Sequence, residues 1–129
     1  MNKILVEVSV GELLDKISIL EIKKEKIKSS EKLKFITGEY KILKEQLDQN
    51  VKSTEKLESL FQKLKEINSK LWIIEDDKRM CEKNSDFGEK FIKHSRDIHF
   101  LNDNRAKIKL EINNITNSKI KEIKEYTSY

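Results

Sequence analysis

Residues 57–74 read LESLFQKLKEINSKLWII, in which Leu57, Leu64 and Leu71 recur every seven residues while Leu60, Ile67 and Ile74 repeat the same step three positions later. Alternating spacings of three and four put all six on one helix face, the seam of a coiled coil. Upstream, Leu33, Ile36, Tyr40, Leu43 and Leu47 repeat in the same manner, and the polar stretch from Asp48 to Thr54 offers a turn between the two runs. The pattern predicts two antiparallel helices forming a coiled-coil hairpin over about residues 30–83.

Outward from this hairpin the chain continues in helical periodicity. Ser9 followed by Glu12 is a capping box that starts a helix from Val10 to about Ile27, with Ile19 and Ile22 on a second apolar stripe. Before it, residues 3–8 (KILVEV) are apolar and β-branched, which predicts a short strand or extended arm. Asn84-Ser85 breaks the third helix. Asp86 and Glu89 resemble a second capping box, opening a fourth helix that runs to about Ile115, and residues 118–129 follow as an extended tail. The expectation is one all-α domain over residues 1–129, an antiparallel helical bundle.

Composition agrees with that architecture. The 129 residues contain no proline and only three glycines, whereas sandwiches, barrels and doubly wound sheets use both at many turns. A lone cysteine, Cys81, forms no internal disulfide and fits a reducing cytoplasm, and no Cys/His spacing suits a metal or a cofactor. No apolar run is long enough for a membrane span. The net charge of +4 comes from lysines alternating with acids and without interleaved aromatic residues, the pattern of solvated helix faces rather than of a nucleic-acid surface.

Arginine is the informative basic residue. Of 27 basic residues only Arg79, Arg96 and Arg105 are arginine. A guanidinium grips carboxylate or phosphate with a planar fork that lysine lacks. Arg105 and His94 fall inside the apolar stripe of the fourth helix, and a guanidinium there must find a carboxylate or an anionic ligand. Asn102 and Lys109 share its flank, Arg96 and Asp103 lie on a neighbouring one, and Glu75 and Arg79 are four apart beside Trp72 and Asp76. A polar layer that fixes helix register accounts for the same residues. No arrangement of nucleophile and base is legible, so no catalytic residue is assigned.

The blocks ILVEVSVGELLDKISILEIK (4–23), LWIIED (71–76) with Arg79 and Glu82, DFGEKFI (86–92) and NDNRAKIKLEIN (102–113) resemble an uncharacterised bacterial and phage family, domain of unknown function 6165. The resemblance covers about half of the chain. It carries Glu12, Asp15, Lys16, Glu75, Asp76, Arg79, Arg96, Asn102, Asp103, Arg105 and Lys109, and in the tail Ser118, Glu122, Lys124 and Tyr126. The family pattern has leucine at His94, tyrosine at His99 and glycine at Asn117. Its members are often found in surface-polysaccharide and glycosyltransferase contexts, which implies an accessory role there.

Three functions compete. The first expectation is a binding protein whose Arg79, Arg96, Asn102, Asp103, Arg105, Lys109, Glu75 and Lys16 hold an anionic metabolite, such as a sugar phosphate or nucleotide sugar. The second is a small mutase-like enzyme in which the same charges stabilise a reacting anion. The third is a coiled-coil partner of a larger enzyme, for example a glycosyltransferase. The exposed hairpin and extended arms also predict a homodimer.

Overall fold

The computed structural model describes residues 2–129. It contains four helices: α1 (Val10–Lys26), α2 (Ser30–Asn50), α3 (Glu55–Lys83) and α4 (Glu89–Ile115). The all-α expectation holds, and three helix starts lie where capping residues place them. The hydroxyls of Ser9, Ser29 and Thr54 accept from the amides of Glu12, Lys32 and Leu57 at 3.0, 3.4 and 3.1 Å. Each satisfies an amide that the first helical turn leaves without a partner.

The fourth start differs from expectation. Asp86 turns its carboxylate to the amide of Gly88 at 3.2 Å, a tight local turn, and the helix begins after Gly88 with no side-chain cap. The N-terminal segment also differs, because residues 2–8 form no strand and Ile4, Leu5 and Val6 remain 90, 87 and 76% exposed. They are an arm without a partner strand.

The largest correction concerns the hairpin. Helix α2 pairs with α1 and not with α3, whereas α3 pairs along its length with α4. Lys56 near Glu111 at one end, and Lys78 over the Phe91 ring at the other, fix α3 and α4 as antiparallel. Heptad spacing specifies which face of α3 is apolar, but not which helix covers it. The 27-residue α4, joined by a short turn, matches the 29-residue α3 far better than the 21-residue α2 does.

Helix α1 touches all three others and is the central element. Its Leu14 joins Leu57, Leu60 and Leu64 of α3 and Ile112 of α4 in the core. Helix α2 buries no residue completely, although its five seam residues are partly buried and Leu47 packs against the core. The tail leaves α4 through Asn117, whose φ of 52° lies in the left-handed region. Asparagine tolerates that conformation at a helix end better than most residues, so it closes the turn where the family pattern has glycine. The amide of Ser118 then bonds the Asn113 carbonyl at 3.0 Å.

Candidate functional site

The polar residues of α1 and α4 meet in one continuous seam. Along α4, Asn102, Arg105, Lys109 and Asn113 recur at helical spacing, and along α1 so do Gly11, Glu12, Asp15 and Ser18. At the first level the amide of Gly11 donates to Asn113 Oδ1 at 2.7 Å. The helices come so close there that a Cβ on Gly11 would stand 2.6 Å from the Lys109 carbonyl oxygen. Beside it, the Val10 amide donates to Ser118 Oγ at 3.1 Å. With Ser9 taking Glu12, the first amides of α1 are consumed by the protein itself.

At the next level Lys109, itself buried, donates to Glu12 at 2.7 Å and to Glu122 of the tail at 3.1 Å. Burial alone would lower the Lys109 pKa. Hydrogen bonds to Glu12 and Glu122 and the nearby Asp15 charge outweigh it, so the ammonium is held above its ordinary value. The hydrogen bond from Lys109 in turn holds the Glu122 carboxyl below its ordinary range.

The deepest level centres on Asp15, 1% exposed. Arg105 clamps it with both ends of its fork, Nε to Oδ1 at 3.1 Å and Nη2 to Oδ2 at 2.7 Å. Asn68 of α3 donates to the same Oδ1 at 2.8 Å and to Ser18 Oγ at 2.8 Å, and Ser18 donates on to the Asp15 carbonyl at 2.7 Å. Lys109 Nζ lies 3.7 Å from Oδ2. Among the described residues no buried side-chain nitrogen or oxygen lacks a partner. A buried carboxylate is tolerated on these terms only, paired and hydrogen-bonded at every oxygen.

The predicted site residues are only partly brought together. Glu75, Arg79, Asn102 and Arg105 line one groove of about 460 Å³ between α1, α3 and α4, with Trp72 and Asp76. Lys109 lies in the seam on the other side of Arg105. Arg96 lines a separate groove and lies over the Phe100 ring, 5.8 Å from its centre. Asp103 orients no basic group and instead accepts a hydrogen bond from the Tyr129 hydroxyl. Lys16 is exposed on α1, outside the groove. The three arginines therefore do not form one cluster. Arg105 is matched by Asp15, and in the groove Glu75 and Asp76 offset Arg79, leaving no excess of positive charge.

Sequence reasoning did not select Asn68, Ser18 or Asn113. Asn68 lies four residues after Leu64 and three before Leu71, a polar residue at apolar spacing, and that interruption was the available signal. The histidines take no part in the seam. His99 is exposed and packs its ring against Phe100 and Tyr129, with centroids 5.5 and 4.9 Å away.

A third groove, of about 500 Å³, opens where the hairpin was expected to close. Leu14 and Ile17 of α1, Tyr40 and Leu47 of α2, and Leu57 and Phe61 of α3 line it. No group of three or more His, Cys, Asp or Glu residues placed to hold a metal occurs among the described residues, and none of their helices is long and apolar enough to cross a membrane.

Residues 4–129 match the model of a family described as Family of unknown function (DUF6165). The chain belongs to that family. No curated protein and no solved structure matches it. Membership extends the four resembling blocks to nearly the whole chain, including α2 and the tail.

Proposed function

We propose that this protein is a helical interaction module that self-associates, with the polar seam locking α1 across the α3–α4 pair and the apolar groove offered to a polypeptide. The observation that carries this reading is the open groove. Its walls come from three helices, yet α2 contributes no fully buried side chain to it. Apolar surface of this kind, rimmed by polar residues, is typical of protein interaction sites. The seam supports the same reading, because Arg105 is satisfied internally by Asp15 and so has its charge committed to register. An accessory role beside a larger enzyme, such as a glycosyltransferase, fits such a module.

Sedimentation equilibrium tests it. Wild type at micromolar concentration is expected at twice 15.3 kDa, and Leu47→Asp, with its helical circular dichroism retained, at 15.3 kDa. A wild type at 15.3 kDa across that range overturns self-association.

One observation favours a second reading. Arg105 Nη1 is held only by Asn102, at 3.3 Å, and faces the groove shared with Arg79 and Trp72. A sugar phosphate or nucleotide sugar seated there would raise the melting temperature, and Arg79→Met would abolish the rise. A screen of those compounds without any shift removes this reading.

A further inference from the structure

Along most of the chain lysines alternate with acids, but the corner where α1 hands over to α2 breaks that balance. Residues 23–35 (KKEKIKSSEKLKF) hold six of the 27 basic residues and two of the 23 acidic ones, a local charge of +4 equal to the formal net charge of the whole chain. The rest of the molecule carries no net charge. One of the two acids, Glu25, is taken by Lys65 of α3 at 2.9 Å. Lys23, Lys24, Lys26, Lys28, Lys32 and Lys34 enter no ion pair among the described residues. All but Lys23 are exposed.

Helix electrostatics account for only part of this cluster. Lys23, Lys24 and Lys26 stand in the last turn of α1, where the dipole favours cations. Lys28 and Lys32 stand at the start of α2, where it disfavours them. Beside them α2 turns Phe35 and Ile42 outward, 77 and 62% exposed. Seven residues apart, these two share one helix face, and Gly38 between them has open space where a Cβ would stand. We infer that this corner is a docking surface for an anionic lipid bilayer, with the lysines over the headgroups and Phe35 and Ile42 entering the boundary with the acyl chains. A cluster of about four to eight lysines beside an exposed apolar helix face joins the two attractions that lasting surface attachment needs. Nucleic acid fits less well. All six cations are lysines, point charges without the planar fork of arginine, and Ile42 offers no ring on which a base could stack. No helix of the described residues is long and apolar enough to cross a membrane, and lying on one requires no such helix. None of these residues lines the groove proposed for self-association, so the two proposals stand apart.

Co-sedimentation of the full chain with vesicles tests the surface, using equal parts phosphatidylserine and phosphatidylcholine against phosphatidylcholine alone. Binding is expected to the mixture only, and it should fade between about 0.1 and about 1 M salt, as the screening length falls from about 10 to about 3 Å. Each lysine near such a surface is worth about fivefold in affinity, so Lys28→Gln/Lys32→Gln should bind about 25-fold more weakly. Phe35→Ser should weaken binding about tenfold or more. These side chains are exposed, so the helical circular dichroism should remain that of wild type. Lys107→Gln/Lys119→Gln removes the same charge from exposed positions outside the corner and should bind as wild type does. Equal losses in the two lysine pairs would reduce the effect to net charge and overturn the surface. Binding to phosphatidylcholine alone as strong as to the mixture, or to neither, overturns it as well. An oligonucleotide that displaces the vesicles, and whose binding needs Lys28 and Lys32 but not Phe35, would make the corner a nucleic-acid site in place of a lipid one.

Discussion

The α1–α4 contact and the α1–α2 contact use opposite means. Across α1–α4 the helices approach until only glycine fits at position 11, and among the described residues every buried side-chain nitrogen and oxygen has a partner. Across α1–α2 the contact is apolar and less closed, and α2 buries no residue. Hydrogen bonds need matched atoms at fixed distances, so the polar contact admits one arrangement. Apolar contact is non-directional and tolerates a second occupant. Fold specificity therefore lies in the polar seam, and the proposed association in the apolar face.

The largest effect that separates the two is expected at Asp15. Removing one member of a buried pair leaves the other charge without compensation, so Asp15→Ala should cost about 3 to 5 kcal/mol in urea denaturation. Arg105→Lys keeps the charge but loses the fork, and about 1 to 3 kcal/mol is expected. Lys107→Arg is the exposed control, expected at wild-type stability. An Asp15→Ala variant within about 0.5 kcal/mol of wild type, the range of ordinary surface substitutions, would show that the seam does not specify the fold.

Much of this was legible before any coordinates. Ser9 marks a helix start because a cap depends on residues three positions apart, whereas the cap at Thr54 lies in a stretch read only as a turn. Arg105 stood out because a guanidinium in an apolar stripe needs a carboxylate. Its partner Asp15 lies 90 residues away, and no local rule names it. The same holds for α3, whose heptad declares a face while the choice between α2 and α4 depends on matching lengths across the whole chain. The arginines part for the same reason: Arg79, Arg96 and Arg105 are alike in composition, but helix geometry sends Arg96 to another groove.

The two glycines sharpen the comparison through opposite signs. In Gly11→Ala the new methyl meets the Lys109 backbone and the Asn113 amide oxygen at 2.9 Å, and α1 must move off α4. A loss of about 1 to 3 kcal/mol is expected, as for overpacked cores. In Gly38→Ala the methyl meets open space and only the helix propensity changes, so a gain of about 0.5 to 1 kcal/mol is expected. Paired denaturation curves decide this, with Gly38→Ala as the solvent-facing control, and equal effects at the two sites would show that α1 and α4 do not meet closely at Gly11.

The smallest effect is local, at the tail that ties onto the seam. The Glu122 carboxyl is held below its ordinary value of 4.5 by the hydrogen bond from Lys109, against partial desolvation. A depressed carboxyl contributes stability that is present above the unfolded value and is lost as pH falls through the lower native one. Lys109, held above 10.5, contributes in the opposite sense: its share is present below that value and is lost as pH rises through the higher native one. The tie should therefore hold at neutral pH and open only well into the acid range, below the ordinary value of 4.5, as Glu122 takes up a proton. Heteronuclear NOEs of residues 119–126 are expected to fall between pH 6 and pH 3, and Glu122→Gln should show the low values already at pH 6. The amides of Gly11 and Glu12 should stay ordered throughout, because Asn113 and Ser9 cap them without titrating. Wild-type NOEs in Glu122→Gln at pH 6 would show that the tail is held by Ser118 and the Tyr129 contacts alone.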